Sequence, residues 1–125
     1  MSEPPEFLFS TLEEWVSEWL ARVIQRRLTQ RPGHGLAWDP QWWRHDEVVA
    51  RLHALWHAWE HARTSDDPSA MSWWWIQHCD PHLRVILDAT HGPFSQISGT
   101  TGTVLPPLTC YPAPPGHFDP SADTD

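Results

Sequence analysis

Ten of the 125 residues are tryptophan, and no other feature limits so tightly what this chain can fold into. An indole removes roughly 150 to 250 Å² from water when buried, so a handful supplies most of the core of a chain this short. One small domain follows, because a chain of this length has room for little else. Nine of the ten come in close groups, Trp15 with Trp19, Trp42 with Trp43, Trp56 with Trp59, and the consecutive Trp73, Trp74 and Trp75, and the tenth is Trp38.

Around these groups the apolar residues keep a helical period. Ser10 and Glu13 have the spacing of a capping box, which predicts a helix start there. Leu12, Trp15, Val16, Trp19, Leu20, Val23, Ile24 and Leu28 then recur at steps of three and four, and Pro32, Gly33 and Gly35 end the pattern. Asp39 followed by Pro40 predicts a second helix, of up to ~24 residues before Pro68, because proline loses nothing at the first helical position. A third helix is expected over 70–78. The pair Asp80-Pro81 repeats the start signal for a short fourth segment through Leu87.

These signals describe a mainly α protein: a flexible N-terminus over 1–9, a domain of three or four helices over 10–94, and an extended or disordered Pro/Gly/Thr-rich tail over 95–125. Trp15, Trp19, Trp56, Trp59 and one or two of Trp73 to Trp75 are the expected Trp-rich core. Leu105, Leu108, Tyr111 and Phe118 are the tail residues suited to dock back on it. The formal charge is −8, yet the helical half is balanced and the deficit comes from the two ends. Protonating all nine His would carry the charge from −8 to +1, so solubility depends on pH just below neutrality. No charged segment precedes an apolar run at the start, and no apolar run approaches membrane-spanning length, so the expected location is the cytoplasm. In that compartment Cys79 and Cys110 are expected as free thiols. The absence of Lys and Asn suggests a GC-rich bacterial genome.

The blocks Glu14-Trp15-Val16 with Glu18-Trp19-Leu20, Trp42-Trp43-Arg44-His45, Leu55-Trp56-His57-Ala58-Trp59-Glu60, Met71-Ser72-Trp73-Trp74-Trp75, Asp80-Pro81-His82 and Gly92-Pro93-Phe94 resemble an actinobacterial family, domain of unknown function 4913. The resemblance runs over about residues 7 to 94, and Leu105-Pro106-Pro107-Leu108 is similar to that family's usual C-terminus. It implies a protein without an assigned activity, of a kind often encoded in mobile elements and phages and sometimes near conjugation genes. His57 departs from the family, which tends to have Arg there, and this weakens any role for His57.

Several constellations carry chemistry in principle. His53, His57 and His61 repeat every four residues, a spacing that offers at most two ligands to one ion; its ordinary meaning is a solvated helix face. His78, Cys79, Asp80, His82 and His91 form a denser cluster, and His78, Asp80 and His82 together with His57 are the candidate metal ligands, with Zn the expected ion if any is held. No CxxC or HExxH pattern supports it, and Asp80-Pro81 already reads as a helix cap. A Cys79–His nucleophilic pair exists in composition only. Arg22, Arg26, Arg27 and Arg31 make a positive patch suited to phosphate, though a helix C-terminus attracts arginine without any ligand. Three consecutive tryptophans sweep about 200° of a helix, so Trp73, Trp74 and Trp75 cannot all face one core. At least one is expected outward, as an interaction surface centred on Trp74 or as a platform covered by the tail.

The expected function is therefore that of a non-enzymatic accessory or interaction module with no cofactor, no membrane contact and an unknown protein partner. A metal-binding protein or metal-dependent enzyme using residues 78–82 is the first alternative. Weak nucleic-acid binding through Arg22 to Arg31 is the second.

Overall fold

The computed structural model describes residues 6–29, 33–95 and 108–118. Its first helix, α1, runs through Leu12–Trp15, Val16–Leu20 and Ala21–Val23 without a break. The capping box forms one residue later than expected. Thr11, not Ser10, accepts the N–H of Glu14 at 3.1 Å, and Glu14 reaches back to the N–H of Ser10 at 3.1 Å. Both spacings satisfy the box, but Glu13 is engaged elsewhere, accepting the N–H of Ala113 at 2.8 Å. Midway the helix widens into a π turn, with Ala21 donating to the Val16 carbonyl.

The expectation that α1 continues to Pro32 is not met, for it stops at Val23. Ile24 is already extended (φ −81°, ψ 122°). From there burial alternates, with Ile24 and Leu28 inside and Gln25 and Arg27 outside, the period of a strand and not of a helix. A competing partner explains the change: Thr29 donates to the Leu36 carbonyl at 2.8 Å, which a continued helix would hold out of reach. Val23, on the apolar stripe by its spacing, faces outward at 42% exposure. Gly33 and Gly35 make the return with positive φ (79° and 70°), a region where a side chain would strain the backbone. Residues 35–37 then run along the end of the last helix, with Ala37 donating to Leu87 at 2.9 Å and Ala89 to Gly35 at 3.0 Å.

The second helix, α2, is Asp46–Arg63. Asp39 does cap, but it caps a turn: its Oδ1 accepts the N–H of Gln41 at 2.9 Å. One tight turn, Trp42–Arg44, follows before His45 takes extended backbone. The expected long helix from Pro40 is thus corrected to one beginning at Asp46. On this tight turn Trp42 and Trp43 diverge by about 120°, yet both are buried, at 1% and 9% exposure, and Trp43 donates its indole N–H to the Tyr111 carbonyl of the tail. Along α2 the inward residues Val48, Leu52, Leu55, Trp56 and Trp59 keep the expected helical spacing.

The third helix, α3, runs through Ala70–Trp73, Trp74–Cys79 and Asp80–Ile86. Asp80-Pro81 does not restart a helix, because Cys79 (φ −67°, ψ −53°) and Asp80 (φ −59°, ψ −47°) are both helical. A second π turn precedes the proline, with Asp80 donating to the Trp75 carbonyl. It gives the ring the room that a regular turn denies it. Three helices thus form a mainly helical domain, and among the described residues there is no strand, only isolated bridge positions at Gln25 and between Leu36 and Asp88. No helix among them is long and apolar enough to cross a membrane.

α2 packs against both other helices. Arg51 meets His82 while Leu55 meets Trp74, so α2 and α3 run in opposite directions. All three helices join at one aromatic junction. Trp15 stacks on Trp19 at 5.9 Å, Trp19 lies 4.8 Å from Trp59, and Trp15 meets Trp74 edge-on at 6.3 Å. The core expectation holds for Trp15, Trp56, Trp59 and Trp74, all buried, and Trp19 is half-buried at the rim.

A second aromatic group holds the tail. Trp38 donates its indole N–H to the Thr109 carbonyl at 2.7 Å, and Trp43 donates to Tyr111 at 3.0 Å. In an extended chain alternate carbonyls point the same way, so two indoles grip one edge of the strap. Leu108 is buried and donates its N–H to the Ala21 carbonyl at 2.8 Å. Tyr111 and Phe118 dock only at their margins and stay exposed, and Leu105 lies outside the described residues. The described part of the tail therefore lies against Trp38, Trp42 and Trp43; the rest of it, on which the alternative of a cover over Trp73 to Trp75 also bears, lies outside the described residues. Cys79 and Cys110 are free.

Candidate functional site

α3 sorts its three consecutive tryptophans. Trp74 points inward at 1% exposure and donates its indole N–H to the Leu55 carbonyl at 3.0 Å. Trp75 is half-buried, 4.9 Å from Trp74 and 6.0 Å from Trp19. Trp73 is 55% exposed, and Ile76, a turn further on, is 57% exposed. The expected surface centred on Trp74 is thus corrected to one centred on Trp73, with Ile76 as a member that sequence reasoning missed. The π turn is the reason. Counting back from Leu83 and Cys79 in steps of 3.6 puts Trp75 or Ile76 inside. The extra residue in the wide turn shifts the register, bringing Trp74 in and turning Ile76 out.

From Ile76 the exposed side of α3 continues at four-residue steps to Asp80 and Arg84. There it borders a groove of about 300 Å³ lined by Arg26, Leu36, Asp80, Leu83, Arg84 and Leu87. The groove exists because α1 ends early: the extended chain after Ile24 carries Arg26 to the end of α3. Arg27 shares that extended segment and Arg22 stays on α1, while Arg31 lies outside the described residues. The expected arginine cluster on one helix end is therefore corrected to a patch shared between two segments. Arg84 is the member that the sequence pattern did not reveal.

Ion pairing separates the arginines. Arg51 pairs with Glu47 at 2.9 Å and Arg63 with Glu60 at 3.0 Å. Among the described residues no carboxylate pairs with Arg22, Arg26, Arg27 or Arg84; Arg26 spends one guanidinium N–H on the neighbouring Gln25 carbonyl at 3.0 Å.

The histidines do not converge. Among the described residues no three His, Cys, Asp or Glu side chains come together as a metal site, so His78, Asp80, His82 and His57 are not assembled as expected. His82 instead accepts from the Arg51 guanidinium at 3.2 Å. Burial, then the Arg51 charge and His78, hold its imidazole below the usual range. His57 lies 4.2 Å from His53 with the rings tilted by 38°, and it meets Phe7 edge-on at 5.1 Å. Burial and His53 hold it below the usual range, with Glu60 opposing. Cys79 is fully buried, and burial together with the Asp80 charge pushes its thiol up to about 12. No thiolate forms there near neutral pH, which removes the nucleophile that the Cys79–His pair requires.

Another buried group went unnoticed in the sequence. Glu60, at 2% exposure, accepts the N–H groups of Leu8 at 2.9 Å and Phe9 at 3.1 Å, the indole of Trp56 at 3.1 Å and Arg63 at 3.0 Å. It clamps the chain before α1 onto α2. Its local pattern, with Arg63 three residues on, resembles that of the exposed Glu47 with Arg51, and the Leu8 and Phe9 donors that set it apart come from some fifty residues away in the chain.

Neither a curated protein nor a solved structure matches the chain. One family model does, over residues 9–114, which includes all three helices and most of the strap. On that match the chain belongs to the family described as Domain of unknown function (DUF4913).

Proposed function

We propose that the protein is a non-enzymatic accessory module, working in the cytoplasm, that binds another protein through the outward face of α3. The observation that carries this reading is the exposure of Trp73 (55%) and Ile76 (57%) on a helix whose opposite face is anchored in the core. An exposed indole lowers solubility and adds little to folding, whereas indoles are enriched at the centres of binding surfaces. Its seat on a helix tied to α2 through Trp74 keeps the surface preorganised, so little order has to be gained on binding. The family resemblance and the lack of Lys and Asn support an origin in an actinobacterial mobile element or phage.

The test is cross-linked capture from the native host with the parent protein and with Trp73→Ala. Loss of a specific captured protein is expected, with unchanged circular dichroism and melting temperature. Equal capture by both proteins overturns the reading.

A further inference from the structure

We propose that the occupant of this surface is an acidic peptide segment carrying an apolar side chain. Its carboxylates pair with Arg26 and Arg84, and its apolar side chain enters the leucine-floored groove between them. The proposal rests on the interaction reading above and names the chemistry of the partner.

Two arginines, Arg26 and Arg84, line the groove, and among the described residues neither is paired with a carboxylate, although the chain as a whole carries −8. A local positive site on an acidic protein selects an anion and repels it elsewhere. The floor decides what else the ligand carries. The apolar half of the lining is Leu36, Leu83 and Leu87; Leu83 and Leu87 are buried at 3% and 2% exposure and Leu36 is half-buried, so Leu36 supplies most of the apolar surface open to a ligand side chain. At about 300 Å³ the groove lies at the lower end of the range for ligand pockets and fits one or two side chains better than a cofactor. Ile76 and Arg84 are eight residues apart, about 12 Å along the helix. An extended peptide covers that distance with about four residues.

A nucleic-acid strand fits less well, since it meets few positive charges, no lysine at all and a net charge of −8. Asp80 sets the direction of the peptide. It stands on the same rim one turn before Arg84, so an acidic side chain is drawn to the Arg84 end and repelled from the Asp80 end.

The experiment is fluorescence anisotropy of the intact protein with a short labelled peptide of alternating glutamate and leucine. Expected is saturable binding that weakens with added salt. Arg26→Glu and Arg84→Glu each weaken it about tenfold, the size of one charge-assisted contact, and Asp80→Asn strengthens it. Arg84→Gln, with a smaller loss, serves if the charge reversal disturbs folding. Peptides with serine in place of leucine lose most of their affinity. Equal binding by parent and arginine variants overturns the proposal, as does equal binding of an all-glutamate peptide. Tighter binding of a single-stranded oligonucleotide at the same arginines also overturns it. If Trp73→Ala abolishes native capture while the arginine variants change neither capture nor peptide binding, this inference fails and the interaction reading stands. If Trp73→Ala leaves native capture intact, the interaction reading fails first.

Discussion

Trp74 donates its indole N–H to the main-chain carbonyl of Leu55 at 3.0 Å, a buried bond that ties α3 to the middle of α2. Its neighbour Trp73 stands in solvent. Trp74→Ala is expected to cost about 3–5 kcal/mol, the range for truncating a large buried aromatic residue. Trp73→Ala is expected to change stability by no more than about 0.5 kcal/mol, as for an ordinary surface substitution. Urea denaturation of the two variants side by side checks the contrast, and coincident midpoints contradict it.

Glu60 makes the fold acid-sensitive. Burial alone would raise its carboxyl, but the hydrogen bonds from Leu8, Phe9, Trp56 and Arg63 outweigh burial and hold it below its ordinary value of 4.5. A carboxyl depressed by folding contributes stability that is present above that value and lost as the pH falls through it. Glu60→Gln keeps the shape but leaves donors poorly matched, at a cost of about 1–3 kcal/mol. Melting temperature followed against pH should show a loss below pH 4.5 in the parent and a flatter profile in the variant.

His82 contributes in the same direction at higher pH. Its imidazole is held below 6.5 by burial, by Arg51 and by His78, so the folded state takes up fewer protons than the unfolded one. Its stabilising effect is present above 6.5 and is lost as the pH is lowered through that value. An NMR titration of the His82 ring should give a midpoint below 6.5. A midpoint above it shows that the contact with Arg51 is not maintained in solution.

Cys79 is expected to resist thiol reagents in the folded protein, because it is fully buried and its thiol is pushed up to about 12. Alkylation followed by mass spectrometry should find it modified only as urea opens the domain. Rapid labelling in native buffer contradicts the packing described for α3.

The strap over Trp38 and Trp43 is expected to be part of the cooperative fold. Leu108 is buried at 4% exposure, and its truncation to Ala should cost about 2–5 kcal/mol. Hydrogen exchange offers an independent readout. The Leu108 and Tyr111 amides, bonded to Ala21 and Pro40, should be protected in the parent and exchange faster in Leu108→Ala.

The sequence by itself determined the helical class and the stripe along α2, because periodic burial is a local property written in residue spacing. It also determined that Trp73, Trp74 and Trp75 could not all be buried, which is a matter of helix geometry alone. Which of them faces out was decided by the π turn, whose extra residue rotates everything before it relative to Leu83 and Ile86. The end of α1 was likewise a tertiary decision. Residues Ile24 to Leu28 satisfy both a helical and an alternating pattern, and the bond from Thr29 to Leu36 selects the second. That choice places Arg26 beside Arg84, a pairing across some sixty residues that no local spacing encodes. Glu60 and the grip of Trp38 and Trp43 on the strap belong to the same class, since a buried polar group is defined by partners that only the folded chain brings to it.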